Sequence, residues 1–331
     1  MTDRSVLTAQ DRLADLSRAS WALNALAVAC ERGILDALVS APQSVAEVST
    51  IATMQPETVA ALVDVLAAVG FLERDGDVVR ATEALRPMVE GRGVEYLTAE
   101  LRSMLGVQAA TLARARETDA ALEGWRTDDP TVVRAQGVLS EQISVGMERV
   151  FASIPSLRAA FSADDASFLD VGAGAGGICI ALARMFPSLR VVGLEPAADA
   201  ATEARRAIAA AGLDGRVEIR STLGQELRAD GVFSVAYVAQ MFMPRDVIGT
   251  VLAATFLALR PGGWLLTGAT ATRGGDLASS VSRWRSALWG GGPDRDADAL
   301  SALLEAAGFT GIVRAPVPPG SALIPMFARR A

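Results

Sequence analysis

Residues 167–177 read Ser167-Phe168-Leu169-Asp170-Val171-Gly172-Ala173-Gly174-Ala175-Gly176-Gly177, an apolar run interrupted by one acid and then four glycines within six positions. A helical pattern follows through Ile178, Ala181, Leu182 and Met185. Strand, glycine turn and helix in that order bring backbone N–H groups close to a ligand, because glycine carries no Cβ to hold the ligand away. Outward from this point, short apolar runs alternate with amphipathic helices: 168–171, 191–194, 217–219, 232–238, 264–267, 312–313 and 323–327. Such alternation predicts an α/β domain, a mostly parallel sheet covered by helices on both faces.

Upstream of residue 160 the pattern is different. Apolar residues recur at helical spacing over 22–39, with Gly33 as a break, and again over 44–53. Pro56 opens a helix that runs to Val69, with Gly70 placed to cap it. Residues 71–74 then face 77–80 across an Asp75-Gly76 turn. Helix, helix and hairpin read as a winged helix. Residues 90–157 read as helices broken by the polar stretch 124–130, with Met104, Leu105, Met147 and Phe151 on apolar faces. These residues serve either as core or as the roof of a pocket belonging to the following domain. The expected division is 1–90, 91–160 and 161–331.

Composition removes several function classes. The chain has 331 residues, 51% hydrophobic against 21% charged, which excludes global disorder and favours more than one domain. Acids outnumber bases 38 to 31, a net charge of -7, so nucleic acid is not an expected partner. The segment 56–69 also lacks any Arg or Asn to anchor a phosphate and carries Glu57 and Asp64. All 31 basic residues are Arg and there is no His, which removes imidazole bases, His metal ligands and lysine Schiff bases. Cys30 and Cys179 have no paired spacing, which fits a reducing cytoplasm. No apolar stretch reaches the roughly 18 residues of a membrane helix, so no membrane association is expected.

The glycine loop satisfies two patterns. Gly172, Gly174 and Gly177 fit the dinucleotide fingerprint, and Asp170, Gly172, Gly174 and Gly176 fit an acid-x-Gly-x-Gly-x-Gly pattern associated with S-adenosylmethionine. A carboxylate two residues before the first glycine repels a pyrophosphate and attracts an ammonium or sulfonium. Asp170 therefore selects S-adenosylmethionine. Glu195, 23 residues after Gly172 at the end of the second run, is placed to accept hydrogen bonds from both ribose hydroxyls of an adenosine.

With these residues the chain resembles the class I methyltransferases, and more narrowly the bacterial small-molecule O-methyltransferases with an N-terminal winged-helix dimerisation domain. Asp170 to Gly176, Glu195-Pro196 and the 258–263 segment Ala-Leu-Arg-Pro-Gly-Gly carry the resemblance, together with the winged helix. It implies a Rossmann-like domain whose seven-stranded sheet has the order 3-2-1-4-5-7-6, the last strand antiparallel, and a homodimer formed by the N-terminal domain. It places Thr222 and Leu223 beside adenine and Gln240 near the methionine part. The window after the third strand reads Ser221-Thr222-Leu223, where many relatives have an acid.

The family's phenol methylators use a histidine after the fourth strand. Here that stretch reads Gln240-Met241-Phe242-Met243-Pro244. A phenol of pKa about 10 costs about 4 kcal/mol to ionise at pH 7. Three routes remain: a substrate that arrives already nucleophilic, a buried carboxylate base drawn from Asp246, Asp276 or Glu148, or a non-methylating reaction on the same scaffold. The first is favoured. A cofactor-sensing DNA-binding regulator is the remaining alternative. Catalytic residues are not assigned. Met241, Phe242, Trp284 and Trp289, with Met104 and Met147 above, are the expected substrate wall. Arg283 and Arg285 accompany the tryptophans on a loop beyond the fifth strand, so the pattern points to a flat, partly anionic small molecule. Arg245, Arg273 and Arg283 are candidate partners for a substrate acid. No metal is expected: Asp294, Asp296, Asp298 and Glu305 have calcium-loop spacing, but the sixth position is Ala299, and the acids suit a helix N-terminus.

Overall fold

The computed structural model describes residues 8–89, 93–116, 124–270, 277–290, 296–317 and 323–331. The chain divides into two compact units, Met1–Met104 and Leu105–Ala331.

The first unit begins with α1 (Ala9–Glu31), capped reciprocally by Thr8 and Asp11, and α2 (Ile34–Ser40), separated from it by Gly33. The first helix starts well before the apolar pattern at Ala22, because its early turns bury nothing and carry no core signal. The short strand β1 (Gln43–Ser44) leads into α3 (Val45–Ala52), where Ser44 and Glu47 form a capping box. Helix α4 (Pro56–Ala68) follows, then β2 (Leu72–Asp75) and β3 (Val78–Ala81), giving an antiparallel sheet of order β1-β3-β2. Asp75 pairs with Val78, so the turn is Gly76-Asp77, one residue later than the sequence pattern suggests. Gly76 has φ 59° and Asp77 is not left-handed, the pattern of a turn with glycine first instead of second. Val59, Leu62, Val63 and Leu66 put one face of α4 in the core with Leu35, Val48, Leu72 and Val79. Helices α5 (Arg86–Val89) and α6 (Gly93–Ala115) complete this half, the latter running into the second unit.

The second unit adds three helices, α7 (Pro130–Glu141), α8 (Ile143–Ser153) and α9 (Pro155–Ser162). Then strands and helices alternate: β4 (Ser167–Val171), α10 (Gly177–Met185), β5 (Arg190–Leu194), α11 (Ala198–Ala210), β6 (Val217–Arg220), β7 (Phe233–Val238), α12 (Arg245–Ala258) and β8 (Leu259–Thr270). Helices α13 (Leu277–Leu288) and α14 (Ala297–Ala306) precede β9 (Thr310–Arg314) and β10 (Leu323–Arg329). The sheet order is β6-β5-β4-β7-β8-β10-β9, and β10 runs antiparallel to both neighbours. This is the expected 3-2-1-4-5-7-6 order and Rossmann-like class.

Strand β4 is buried on both faces, as a central parallel strand must be. Phe168 joins a core with Phe151, Phe161, Leu182 and Val191, and Leu169 and Val171 join the opposite core with Phe233, Leu252 and Leu304. Strand β8 is longer than its 264–267 pattern. Leu259 pairs with Phe233 and Trp264 with Val235, so Arg260 to Gly263 bulge out opposite Ser234 alone. Asp296 caps α14 by accepting from the Asp298 and Ala299 amides, the helix-terminus role expected for these acids, whereas Asp294 lies outside the described residues. Among the described residues no cluster of acids or cysteines is arranged to hold a metal. No single described helix is long and apolar enough to cross a membrane.

Candidate active site

The site lies at the C-terminal edge of the parallel strands, where β4 gives way to the glycine loop. The Gly172 and Ala173 amides both donate to the Leu194 carbonyl at 3.0 Å, which ties the loop to the end of β5. Gly174, with φ 55°, has no atom within 4 Å of where its Cβ would stand, so it leaves open space in front of the loop. Gly177 is required for a different reason. A Cβ there would come within 2.1 Å of the Gly137 carbonyl, so α7 rests its backbone directly on the start of α10.

Glu195 is buried and braces the loop. Its Oε2 accepts from the Gly174 amide and its Oε1 from the Ala197 amide, each at 2.8 Å. Burial raises its pKa, partly countered by these two hydrogen bonds. Each oxygen keeps a lone pair, so a diol facing the loop has two adjacent acceptors. Pro196 follows on the exposed surface of the turn into α11.

Asp170 is fully buried, on the α10 side of the strand. Strand alternation puts it on the Phe168 face, beside Cys179 of α10 and opposite Tyr237 of β7. Its Oδ2 accepts from the Cys179 thiol at 3.2 Å, and its Oδ1 has no partner. Burial pushes its pKa up to about 7; the Cys179 hydrogen bond lowers it and the Glu195 charge raises it. The same burial raises the Cys179 thiol and the Tyr237 phenol. An orphan carboxylate oxygen, an open glycine and a two-oxygen acceptor in succession fit an adenosine carrying a cationic amino-acid tail.

After β6, the Thr222 amide donates to the Arg220 carbonyl, and exposed Leu223 opens a short helical turn over Gly224–Glu226. Gly224, which the sequence pattern does not single out, brings this turn against the end of β4: a Cβ there would meet Val171 Cγ1 at 2.7 Å. Gln240 is fully buried, and its Nε2 donates to the Gly268 carbonyl at 2.6 Å, locking the end of β7 to β8.

The expected substrate wall is brought together only in part. Met147 sits in the core with Phe151 and Leu157, and Met104 is a partly exposed residue of the first unit on α6. Met241 is half-buried and Phe242 is 40% exposed. Trp284, with Arg283 and Arg285, lies on α13, a helix where a loop was expected, and Trp284 is exposed. Trp289 is buried and contacts Phe242 and Trp125. Trp125 was hidden in the polar stretch 124–130, whose glycine, acids and single proline mask its lone aromatic ring. Of the candidate bases, Glu148 is exposed and ion-paired to Arg158 at 2.7 Å, and Asp246 is exposed in the first turn of α12. Neither is a buried carboxylate. Asp276 and Arg273 lie outside the described residues. Arg245, at the start of α12, is exposed.

Residues 168–263 match the family model described as a methyltransferase domain. No curated protein sequence matches the chain. Solved structures match over nearly its full length. An O-methyltransferase family protein from Burkholderia thailandensis is 17% identical, with a TM-score of 0.72 over 98% of this chain and 99% of that one. The mitomycin 7-O-methyltransferase MmcR is 20% identical, TM-score 0.65, covering 98% of each chain. Human N-acetylserotonin methyltransferase, solved with its cofactor, is 18% identical, TM-score 0.66, covering 99% of each. At these identities the likeness establishes the fold. The matched segment spans the glycine loop, Glu195 and the β8 bulge, and it agrees with the chemistry of the cradle on S-adenosylmethionine as the cofactor. Residues 168–263 thus match the methyltransferase domain model within a sheet of the class I order.

Proposed function

We propose that the protein transfers a methyl group from S-adenosylmethionine to a small aromatic or polyketide-like metabolite, with oxygen the favoured acceptor atom. The observation that carries this reading is the open loop at Gly174, tied by its amide to Glu195 and lying above the orphan oxygen of Asp170. The cofactor supplies an electrophilic methyl group. Glu195 holds the ribose, Asp170 balances positive charge, and the turn at Thr222-Leu223 flanks the adenine. Gln240 keeps the end of β7 in place through Gly268.

The chain brings no histidine or lysine to the reaction, and the buried carboxylates among the described residues are Asp170 and Glu195, both at the cofactor end. The nucleophile therefore arrives ionised or otherwise activated, and the protein contributes proximity and exclusion of water. The lack of a buried base away from the cofactor end among the described residues also favours one second reading, a cofactor-binding enzyme of the same fold that catalyses a different reaction. On the family resemblance carried by the sequence, the first unit is the winged-helix-like module through which two copies associate.

Calorimetry with S-adenosylmethionine tests the cofactor site. Gly174→Arg fills the open space on a left-handed backbone, and Glu195→Ala leaves two amides without an acceptor; each is expected to weaken binding more than tenfold. Unchanged affinity in both refutes the site. Release of S-adenosylhomocysteine in the presence of aromatic metabolites separates methyl transfer from the second reading.

A further inference from the structure

Three aromatic rings meet where α13 ends. The Trp289 ring lies 4.7 Å from that of Trp125 and 5.8 Å from that of Phe242, centroid to centroid. Backbone hydrogen bonds hold the separate segments together: Trp125 N donates to the Phe242 carbonyl at 2.9 Å, and Arg245 N to the Gly290 carbonyl at 2.8 Å. Arg114 Nε reaches the Leu288 carbonyl at 3.2 Å. The 239–243 segment that carries Phe242 runs beside the glycine loop, since Ala239 Cβ and Met243 Cε are what a Cβ on Gly172 would touch. The cluster therefore sits next to the cofactor cradle, at the same edge of the sheet.

Its polar atoms are not all paired. Trp125 donates its indole N–H to Gln136 Oε1 at 3.3 Å. Trp289 is 4% exposed, and its Nε1 is buried with no acceptor. The Arg285 guanidinium lies over the Trp289 ring, 4.8 Å from its centroid, and its Nε is likewise buried and unpaired. Desolvation lowers the Arg285 pKa. The other arginines stacked on rings among the described residues differ. Arg158 pairs with Glu148, Arg329 donates to the Gly262 carbonyl, and Arg330 to the Phe256 and Leu257 carbonyls. Buried donors left without acceptors carry an uncompensated desolvation cost and call for a partner that the described residues do not supply.

We propose that this cluster is a recognition site for a planar aromatic carboxylate, whose oxygens accept from Arg285 Nε and Trp289 Nε1 while its ring packs against Phe242 and Trp125. A planar anion answers both features at once: the arginine face offers charge and direction, and the rings offer stacking area. Its role as the methyl acceptor rests on the methyl-transfer reading above; the binding site itself does not. A carboxylate held here is ionised without any base, so the missing histidine is no obstacle to its recognition.

The test uses the full chain, alone and loaded with S-adenosylhomocysteine. Naphthoates, hydroxybenzoates and quinoline carboxylates are titrated beside their neutral primary amides, with 15N-labelled indole resonances as the readout and Trp289→Phe to assign the Trp289 signal. At least one acid is expected to bind tenfold or more tightly than its amide and to shift the Trp289 N–H. Arg285→Met, which keeps the aliphatic stem, is expected to reduce that preference to less than twofold, and Trp289→Phe, which keeps the ring packing, to reduce it several-fold. The inference is overturned if no acid outbinds its amide, if the preference survives Arg285→Met, or if the Trp289 N–H does not move. Failure of S-adenosylhomocysteine to bind strikes the methyl-transfer reading instead, and the unloaded titration still decides the carboxylate site.

Discussion

Asp170 has two tasks that conflict. Unfolded, its carboxyl ionises near 3.8; folded, burial raises it to about 7. Between those values the native state holds the extra proton, so this group's contribution to stability declines as pH rises from about 4 to about 7 and then levels. Asp170→Asn keeps the shape and removes the buried charge. The variant without ligand is expected to melt several degrees above the parent at pH 8, with the gap closing towards pH 4, and to bind S-adenosylmethionine about tenfold more weakly. Thermal melts at pH 4.5, 6 and 8, with and without cofactor, check both signs; a variant less stable than the parent at pH 8 contradicts the assignment. The sequence identified Asp170 by its place before the glycines but not its depth, because strand alternation gives a direction and not what covers it. Cys179 and Tyr237, which share its space, lie in other elements and carry no sequence signal of that contact.

At the scale of elements, what was legible is what has a period. The seven strands, their order and the helices between them follow from apolar runs and from the resemblance carried by the glycine loop, Glu195 and the β8 turn. Contacts between elements without such a period were not legible. The polar stretch 124–130 concealed Trp125, and nothing in the sequence shows that Gly137 and Gly177 form one crossing. That crossing makes a sharp prediction. Gly177→Ala sets a methyl group against the backbone carbonyl of Gly137, where no side chain can turn aside, and α7 must move off α10. An apparent loss of about 2 kcal/mol or more is expected in denaturant melts, as for overpacking elsewhere. Gly215→Ala, with nothing near its Cβ, is the control and is expected to change stability little. Equal stability of the two variants rules out the close crossing.

At the scale of the whole molecule, the question is what completes the first unit. Helix α1 is 23 residues long, yet its buried residues, Leu26, Ala27, Ala29 and Cys30, all fall near its end. Before them Leu13, Leu16 and Trp21 are exposed at 68%, 67% and 74%. A helix whose first four turns bury nothing has little tertiary support within its own chain, and isolated helices of that length are marginal in water. Three large apolar residues on such a segment favour burial against another copy, as the proposed homodimer requires. Light scattering after size exclusion is expected to give a dimer for the parent and a monomer for the combined Leu13→Asp, Leu16→Asp and Trp21→Ser variant. Because these side chains support nothing inside the protomer, the variant is expected to keep its melting profile above the frayed helix and its affinity for S-adenosylmethionine. A parent that is monomeric, or a triple variant that remains dimeric, removes α1 from the interface.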